Sequence, residues 1–359
     1  MEIMIAIVMG TRPEIIKMSP IVRACQSKSL DFFILHTGQH YSYSMDRVFF
    51  EDLELPEPKH NLEVGSGSHG EQTGKIIPGV EKILLKEGAS LVLVQGDTNT
   101  VLGAALAASK LGIKIGHVEA GIRSFDRSMP EETNRILADH ISDYLFAPTK
   151  GAKRNLANEG IRKGVYVTGN TIVDAVRQNL VYAERKSKVL EELRKAKKGY
   201  VLATAHRQEN VDNAKRLKGI IDGLRAVGQN MSLPVIFPAH PRTQNRIKEF
   251  CIDVSGISII DPIGYLEFLQ MEANAALILT DSGGIQEEAC ILGVGCVTLR
   301  ENTERPETLQ VGSNALAGTD PKRILSQSKK MLRSKGKWKN PFGDGHAARK
   351  IVDRIGKSN

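Results

Sequence analysis

Aromatic residues are scarce in this chain, at 5% of 359 positions with a single tryptophan. The basic residues have no interleaved aromatic platform on which bases could stack, which argues against a binder of single-stranded nucleic acid. Cysteine is also scarce. Cys25, Cys251, Cys290 and Cys296 form no C-x-x-C pair, and their apolar surroundings point to buried free thiols in a reducing, cytoplasmic compartment. The nine histidines lack the close spacing of a zinc ligand set, so no metal is expected. No apolar run reaches the roughly 18 residues of a membrane span. The apolar start, residues 1–10, lacks a basic leader segment and reads as a strand, not a signal peptide.

What the chain does have is length, glycine and alternation. Its 359 residues, 33 of them glycine, suit two α/β domains. The net charge of +8 is local: residues 321–359 hold 12 Lys/Arg against 2 Asp/Glu, a net of +10, and the other 320 residues sum to −2. A solvated basic helix at the terminus accounts for that excess. Short β-branched runs at 3–8, 32–35, 91–94, 114–118, 144–146 and 165–167 alternate with helical patterns at 14–24, 98–111 and 131–141. The pattern restarts with strands at 200–204, 235–238, 258–260, 277–279 and 296–299, and with helices at 214–227, 243–250, 265–274 and 285–292. This predicts an α/β chain of two Rossmann-like, doubly wound domains with strand C-termini facing a cleft between them. The expected divisions are 1–169, 170–338 and a terminal helix within 339–359, with exposed linker material at 174–198.

Polar residues gather at the strand ends. Gly10-Thr11-Arg12-Pro13-Glu14, followed by Lys17, sets two cations beside a helix N-terminus, a suitable place for an anion. A Gly65-x-Gly67-x-x-Gly70 pattern follows no β-α-β strand and reads as a loop. Asp97, in Gln95-Gly96-Asp97-Thr98, and Glu119, in His117-Val118-Glu119-Ala120-Gly121, close two strands, and Glu131, in Pro130-Glu131-Glu132, opens a helix. Each alone could be a cap, but three at sheet edges facing one cleft suggest chemistry. His206 and His240 end two strands of the second half. Thr280-Asp281-Ser282-Gly283-Gly284-Ile285-Gln286-Glu287-Glu288 turns a strand into a helix through two glycines, which favours phosphate at the first-turn N–H groups, with Glu288 placed to accept from ribose hydroxyls. Arg300 to Glu307 adds Arg305.

In this order and near this spacing, these motifs, with His206-Arg207-Gln208-Glu209-Asn210 and Thr303–Glu307, resemble the non-hydrolysing UDP-N-acetylglucosamine 2-epimerases, whose fold is GT-B-like. The likeness covers nearly the whole chain. It implies reversible conversion of UDP-GlcNAc to UDP-ManNAc in the cytoplasm by a homodimer, with no cofactor, no nucleic acid and no membrane. It implies that Arg12, Lys17, His206, Ser282, Gly283, Gly284, Glu288 and Arg305 hold UDP. Asp97, Glu119 and Glu131 would serve the sugar chemistry, with Arg135 nearby and His206 counted among the catalytic groups. Phe268 falls where the family places an aromatic near uracil, with Ile263 replacing a glutamine of some relatives. Relatives pack a C-terminal helix back on the first domain. Gln39-His40 resembles part of an activator site of bacterial relatives, but Ser42 and Glu71 replace a glutamine and an arginine there, so activation through the same contacts is not implied.

The chemistry fits that assignment. C2 of the sugar has no adjacent carbonyl, so its proton becomes acidic only once the C1–O bond breaks and an oxocarbenium-like centre forms. Expelled UDP must be held as an anion, and carboxylates stabilise the cation and move the proton. The neutral intermediate is a 2-acetamidoglucal, and no nicotinamide is required. Two other readings are open on sequence alone: a hydrolysing relative that releases ManNAc and UDP, and a non-catalytic nucleotide-sugar or nucleic-acid binder.

Overall fold

A computed structural model describes residues 3–39, 43–186, 199–334 and 336–356. His40, Ser42 and the 187–198 part of the expected linker lie outside the described residues. The chain forms two compact units, Met1–Gln178 with Phe342–Asn359, and Asn179–Pro341.

In the first unit the order is β1 Ile5–Met9, α1 Arg12–Ser27, β2 Phe32–His36, α2 Tyr43–Asp52, β3 His60–Asn61, α3 His69–Glu87, β4 Leu91–Gln95 and α4 Asn99–Lys110. It continues with β5 Lys114–Val118, α5 Pro130–Ile141, β6 Tyr144–Ala147, α6 Lys150–Asn158, β7 Val165–Val167 and α7 Thr171–Lys186, within which the units divide. The seven strands are parallel, in the order β3-β2-β1-β4-β5-β6-β7. Strand order reverses direction between β1 and β4, so the turns after those strands flank the crevice where α/β sheets bind ligands.

The second unit repeats the scheme with β8 Val201–Thr204, α8 Gln208–Val211, α9 Ala214–Met231, β9 Val235–Pro238, α10 Pro241–Glu249, β10 Ile257–Ile260 and α11 Tyr265–Asn274. Then come β11 Leu277–Thr280, α12 Gly283–Leu292, β12 Cys296–Thr298, α13 Pro306–Gln310, β13 Asn314–Leu316 and α14 Pro321–Ser334. Its six parallel strands run β10-β9-β8-β11-β12-β13, with the reversal between β8 and β11. Successive residues of one strand serve opposite faces: Val201 and Ala203 pack with Leu277 and Leu279, whereas Leu202 packs with Ile278 and Cys296. Both faces are apolar because helices cover both, which is why these strands are continuous apolar runs in the sequence.

The last helix, α15 Ala347–Ile355, belongs to the first unit and packs against α1. Its first N–H groups, of Ala347 and Ala348, donate to the buried carboxylate of Asp174 at 3.1 and 3.0 Å, satisfying donors that a helix start leaves over. Asp174 is therefore a buried cap within α7 and not part of an exposed linker. Two further expectations change. Gly70 lies in the first turn of α3, not in a loop, and a Cβ there would meet nothing within 4 Å. Cys251 is exposed, whereas Cys25, Cys290 and Cys296 are buried free thiols. The strands β3 and β13 are too short and too polar to give an apolar signal.

Candidate functional site

Glu119 ends β5 under strain. Its φ of +71° lies in the left-handed region, which costs a non-glycine residue about 1–3 kcal/mol unless the surroundings fix it. They do. The carboxylate is 7% exposed, and Oε1 accepts from Lys17 Nζ at 2.7 Å and from Asn170 Nδ2 at 2.8 Å, while Oε2 accepts from the Gln95 amide. Two residues on, Gly121 has a φ of +81°, and a Cβ there would sit 2.3 Å from the Ala152 carbonyl oxygen, so no side chain fits.

Asp97 follows β4. Its Oδ2 receives both Arg135 Nε and Nη2, at 2.9 and 2.5 Å, and Asn134 donates to its carbonyl at 2.9 Å. The remaining arm of Arg135 donates to Glu132 Oε2 at 2.7 Å. Glu132 is buried and also accepts from the Ser124 and Phe125 N–H groups, at 2.9 and 3.0 Å. Burial alone would raise its pKa, but those N–H groups and Arg135 bring it below the usual carboxylate range. Glu131 is half-buried in the first turn of α5 and has no hydrogen-bond or ion-pair partner among the described residues.

The turns carrying Asp97 and Glu119 share one buried clamp. His117, 1% exposed, contacts Asp139 Oδ1 through Nδ1 at 2.7 Å and the Gly96 carbonyl oxygen through Nε2 at 2.8 Å. Both partners only accept, so both ring nitrogens donate and the ring is an imidazolium. Burial opposes that charge, but Asp139 and the Gly96 carbonyl outweigh it and raise the His117 pKa. The other oxygen of Asp139 accepts from the Gly121 N–H at 3.0 Å and pairs with Arg123 at 2.7 Å. Glu14 makes the equivalent tie to the first strand. It accepts from the Gly10 and Thr11 N–H groups at 2.6 and 2.8 Å, and from the Thr98 hydroxyl at 2.5 Å. Burial pushes its pKa up to about 7 against the pull of those three partners.

The two cations named after β1 behave differently. Lys17 is buried and committed to Glu119. Arg12 leans on α2, with Nε 3.7 Å from Asp46 and the guanidinium 5.4 Å from the Phe49 ring centre. Glu71 is the capping-box residue of α3 and accepts from the Ser68 N–H at 3.0 Å.

In the second unit the organising group is Asp281, fully buried at the end of β11. It accepts from the His206 N–H at 3.1 Å, the Arg207 N–H at 3.0 Å and Asn210 Nδ2 at 3.0 Å. That fixes the turn after β8 and leaves the His206 imidazole largely exposed, with Nε2 3.9 Å from Asp281 Oδ1. Ser282 is the N-cap of α12, and its side chain makes no cap bond. Added Cβ atoms at Gly283 and Gly284 would have their nearest neighbours at 3.8 and 3.9 Å. Packing inside the protein therefore does not require glycine there. The bare backbone leaves the first N–H groups of α12 open, the arrangement that binds phosphate.

Around this turn, Glu288 lies 3.4 Å from the Tyr265 hydroxyl, and Arg305 Nε is 2.9 Å from the buried Glu287. Glu304 would titrate higher because it is buried, but Arg300, donating at 2.8 and 2.9 Å, and Arg207 draw it down to about 2. Phe268 and Ile263 are half-buried against the core around Tyr200, Leu202 and Ile278. Among the described residues, no group of three His, Cys, Asp or Glu side chains could hold a metal ion, and no helix is long and apolar enough to cross a membrane.

Sequence reasoning passed over several of these groups. Asn170 follows β7, and its place just beyond a strand is the available signal, although it coincides with the expected domain boundary. Gln95, His117 and Asp281 stood inside quoted motifs, and only geometry separates a residue that orients from one that reacts. Glu14 and Glu132 also stand inside those motifs, as first-turn helix residues, whereas Asp139 carries no signal of its own. They are helix residues whose partners lie on other elements.

The chain matches the family model described as UDP-N-acetylglucosamine 2-epimerase over residues 23–356. It is 57% identical to the UDP-N-acetylglucosamine 2-epimerase of Methanococcus maripaludis over 98% of both chains. It is 55% identical to that of Methanocaldococcus jannaschii over 97% of both. The crystal structure of the Methanocaldococcus jannaschii UDP-GlcNAc 2-epimerase in complex with UDP-GlcNAc and UDP superposes with a TM-score of 0.89, covering 99% of each chain.

Proposed function

From the premise that the chain belongs to the UDP-N-acetylglucosamine 2-epimerase family, we propose that it interconverts UDP-GlcNAc and UDP-ManNAc by expelling and re-adding UDP. The C1–O bond breaks with both electrons leaving on the diphosphate, and the C2 hydrogen passes as a proton to a carboxylate. The result is neutral 2-acetamidoglucal and UDP. Return of UDP to C1, with a proton delivered to C2 from the opposite face, completes the inversion.

The observation that carries this reading is that Asp97 and Glu119 stand on adjacent strand ends, each held by buried donors before any substrate arrives. Charge that develops on a ring is best met by groups that need no reorganisation. Lys17 and Asn170 hold Glu119 in place, and Arg135 does the same for Asp97. Glu131, which has no partner of its own among the described residues, is the carboxylate best suited to exchange a proton. The diphosphate is assigned to the Ser282 hydroxyl and the open N–H groups at Gly283 and Gly284, with His206 and Arg305 supplying positive charge. Glu288 is assigned to the ribose hydroxyls and Phe268 to the uracil. The buried free thiols favour a cytoplasmic setting, and the family resemblance favours a homodimer.

Incubation with UDP-GlcNAc, followed by NMR of the sugar, tests the reaction. A mixture of UDP-GlcNAc and UDP-ManNAc approached from either side is expected. Free ManNAc accumulating in step with UDP would replace the proposal with hydrolysis.

A further inference from the structure

The loop between Glu119 and Glu131 presents a feature the proposed chemistry has not used. Phe125 is 77% exposed, the most exposed of the large apolar side chains among the described residues. Its backbone is also strained, with a φ of +59°. A bulky residue held in the left-handed region is a genuine outlier, and such strain persists only where the surroundings over-determine it. Here the buried Glu132 does so. It accepts from the Phe125 N–H at 3.0 Å and from the Ser124 N–H and hydroxyl at 2.9 Å each, and Ser124 Oγ in turn accepts from the Asp126 N–H at 3.2 Å. The loop is thus braced to hold an aromatic ring out in water, where exposure gains nothing for folding.

The brace is shared with the reacting groups. Glu132 Oε2, which holds Ser124, also receives Arg135 Nη1 at 2.7 Å, and the same guanidinium chelates Asp97. The ring and the Asp97 carboxylate are therefore positioned from one anchor. A hexosamine offers a ring the apolar face formed by its C–H groups. Its reaction adds two features an aromatic face recognises: positive charge at C1 as the bond breaks, which the ring quadrupole attracts, and a flattened glycal more apolar than the substrate. A ring over that face also keeps water from C1, where attack would give free hexosamine and UDP.

We propose that Phe125 is a sugar-contacting residue whose ring covers the hexosamine at Asp97, stabilising the charge at C1 and excluding water from it. This rests on the epimerase reading given above.

The test compares Phe125→Ala, Phe125→Gly and Phe125→Tyr with the unaltered protein. Measured together are kcat/KM with UDP-GlcNAc, free hexosamine released per epimerisation, and calorimetric affinity for UDP alone. Glycine suits a φ of +59°, so Phe125→Gly removes the ring and relieves the backbone at once. Both truncations are expected to lower kcat/KM about five- to thirtyfold, the range of a partly to fully desolvated cation–π contact. They should also raise the release of free sugar and leave UDP affinity unchanged, while Phe125→Tyr retains most of the activity. Unchanged kcat/KM and release in both truncations would overturn the proposal. So would recovery in Phe125→Gly of what Phe125→Ala loses, because the backbone and not the ring would then be responsible. If the unaltered protein makes no UDP-ManNAc in the same assay, the epimerase reading itself fails, which is a separate result.

Discussion

The two units solve opposite electrostatic problems on the same kind of sheet. In the first, three carboxylates near the strand ends are matched by cationic side chains: Glu119 by Lys17, Asp97 by Arg135, Asp139 by His117 and Arg123. In the second, Glu287 and Glu304 are paired with Arg305 and Arg300, but the carboxylate that organises the strand end, Asp281, is held mainly by backbone N–H groups. The helix start beside it is left bare. A site that must hold negative charge of its own in place needs fixed cations. A site that must receive a negative ligand needs donors that nothing else has claimed. The contrast teaches that anion capture and carboxylate chemistry can be told apart by which side of each pair the protein supplies.

Charge-neutralising substitutions test that division most severely. Asp97→Asn or Glu119→Gln is expected to cut epimerisation about 10²–10⁴-fold, the usual contribution of a positioned acid or base, with calorimetric UDP affinity preserved. Equal loss of UDP binding would show that the two tasks are not separated.

The buried clamp comes next. His117→Gln leaves Asp139 without its imidazolium partner, and removing one member of a buried pair costs about 3–5 kcal/mol. Arg123 remains beside Asp139, so the lower end is expected in urea unfolding. The pH dependence carries the sign. The pKa of His117 is raised in the folded protein, so its stabilisation is complete below the unfolded value near 6.5 and fades as pH rises through the folded value. The pKa of Asp139 is lowered, so its contribution is complete above its unfolded value and fades as pH falls. The alkaline decline should be absent in His117→Gln.

Asp281→Asn is expected to cost about 1–3 kcal/mol, because an amide cannot accept from all three donors that now converge on it. UDP affinity should weaken with stability, the reverse of the outcome at Asp97.

Glu14→Gln should have the smallest effect. Glu14 titrates at about 7 in the folded state against 4.5 for the free side chain. The native state therefore binds the extra proton, and stability rises as pH falls from 7 toward 4.5. The amide keeps one oxygen for Gly10 and Thr11, so Glu14→Gln should abolish that slope with little change in stability at pH 7. Denaturation midpoints across this range check it.

Much of this was legible in the sequence, and the reason is physical. Strands covered on both faces are continuous apolar runs, so β1, β4, β8 and β11 stood out, and the residues after them had to lie at sheet ends. The Ser282-Gly283-Gly284 turn was readable because a strand that passes through two glycines into a helix lets an anion approach the first-turn N–H groups closely. What was hidden depends on partners distant in sequence. Nothing local marks Lys17 as the partner of Glu119, 102 positions away, or Asp139 as the link between two turns. The capping role of Asp174 toward Ala347 and Ala348 is hidden for the same reason, whereas β3 is hidden because two polar residues give no apolar signal.

The central claim is that the C2 hydrogen leaves as a proton and is replaced from the protein. Epimerisation of UDP-GlcNAc in deuterium oxide, followed by proton NMR at C2, measures that directly. The account expects UDP-ManNAc that carries deuterium at C2 from its first appearance. UDP-ManNAc that keeps its original C2 hydrogen would contradict it.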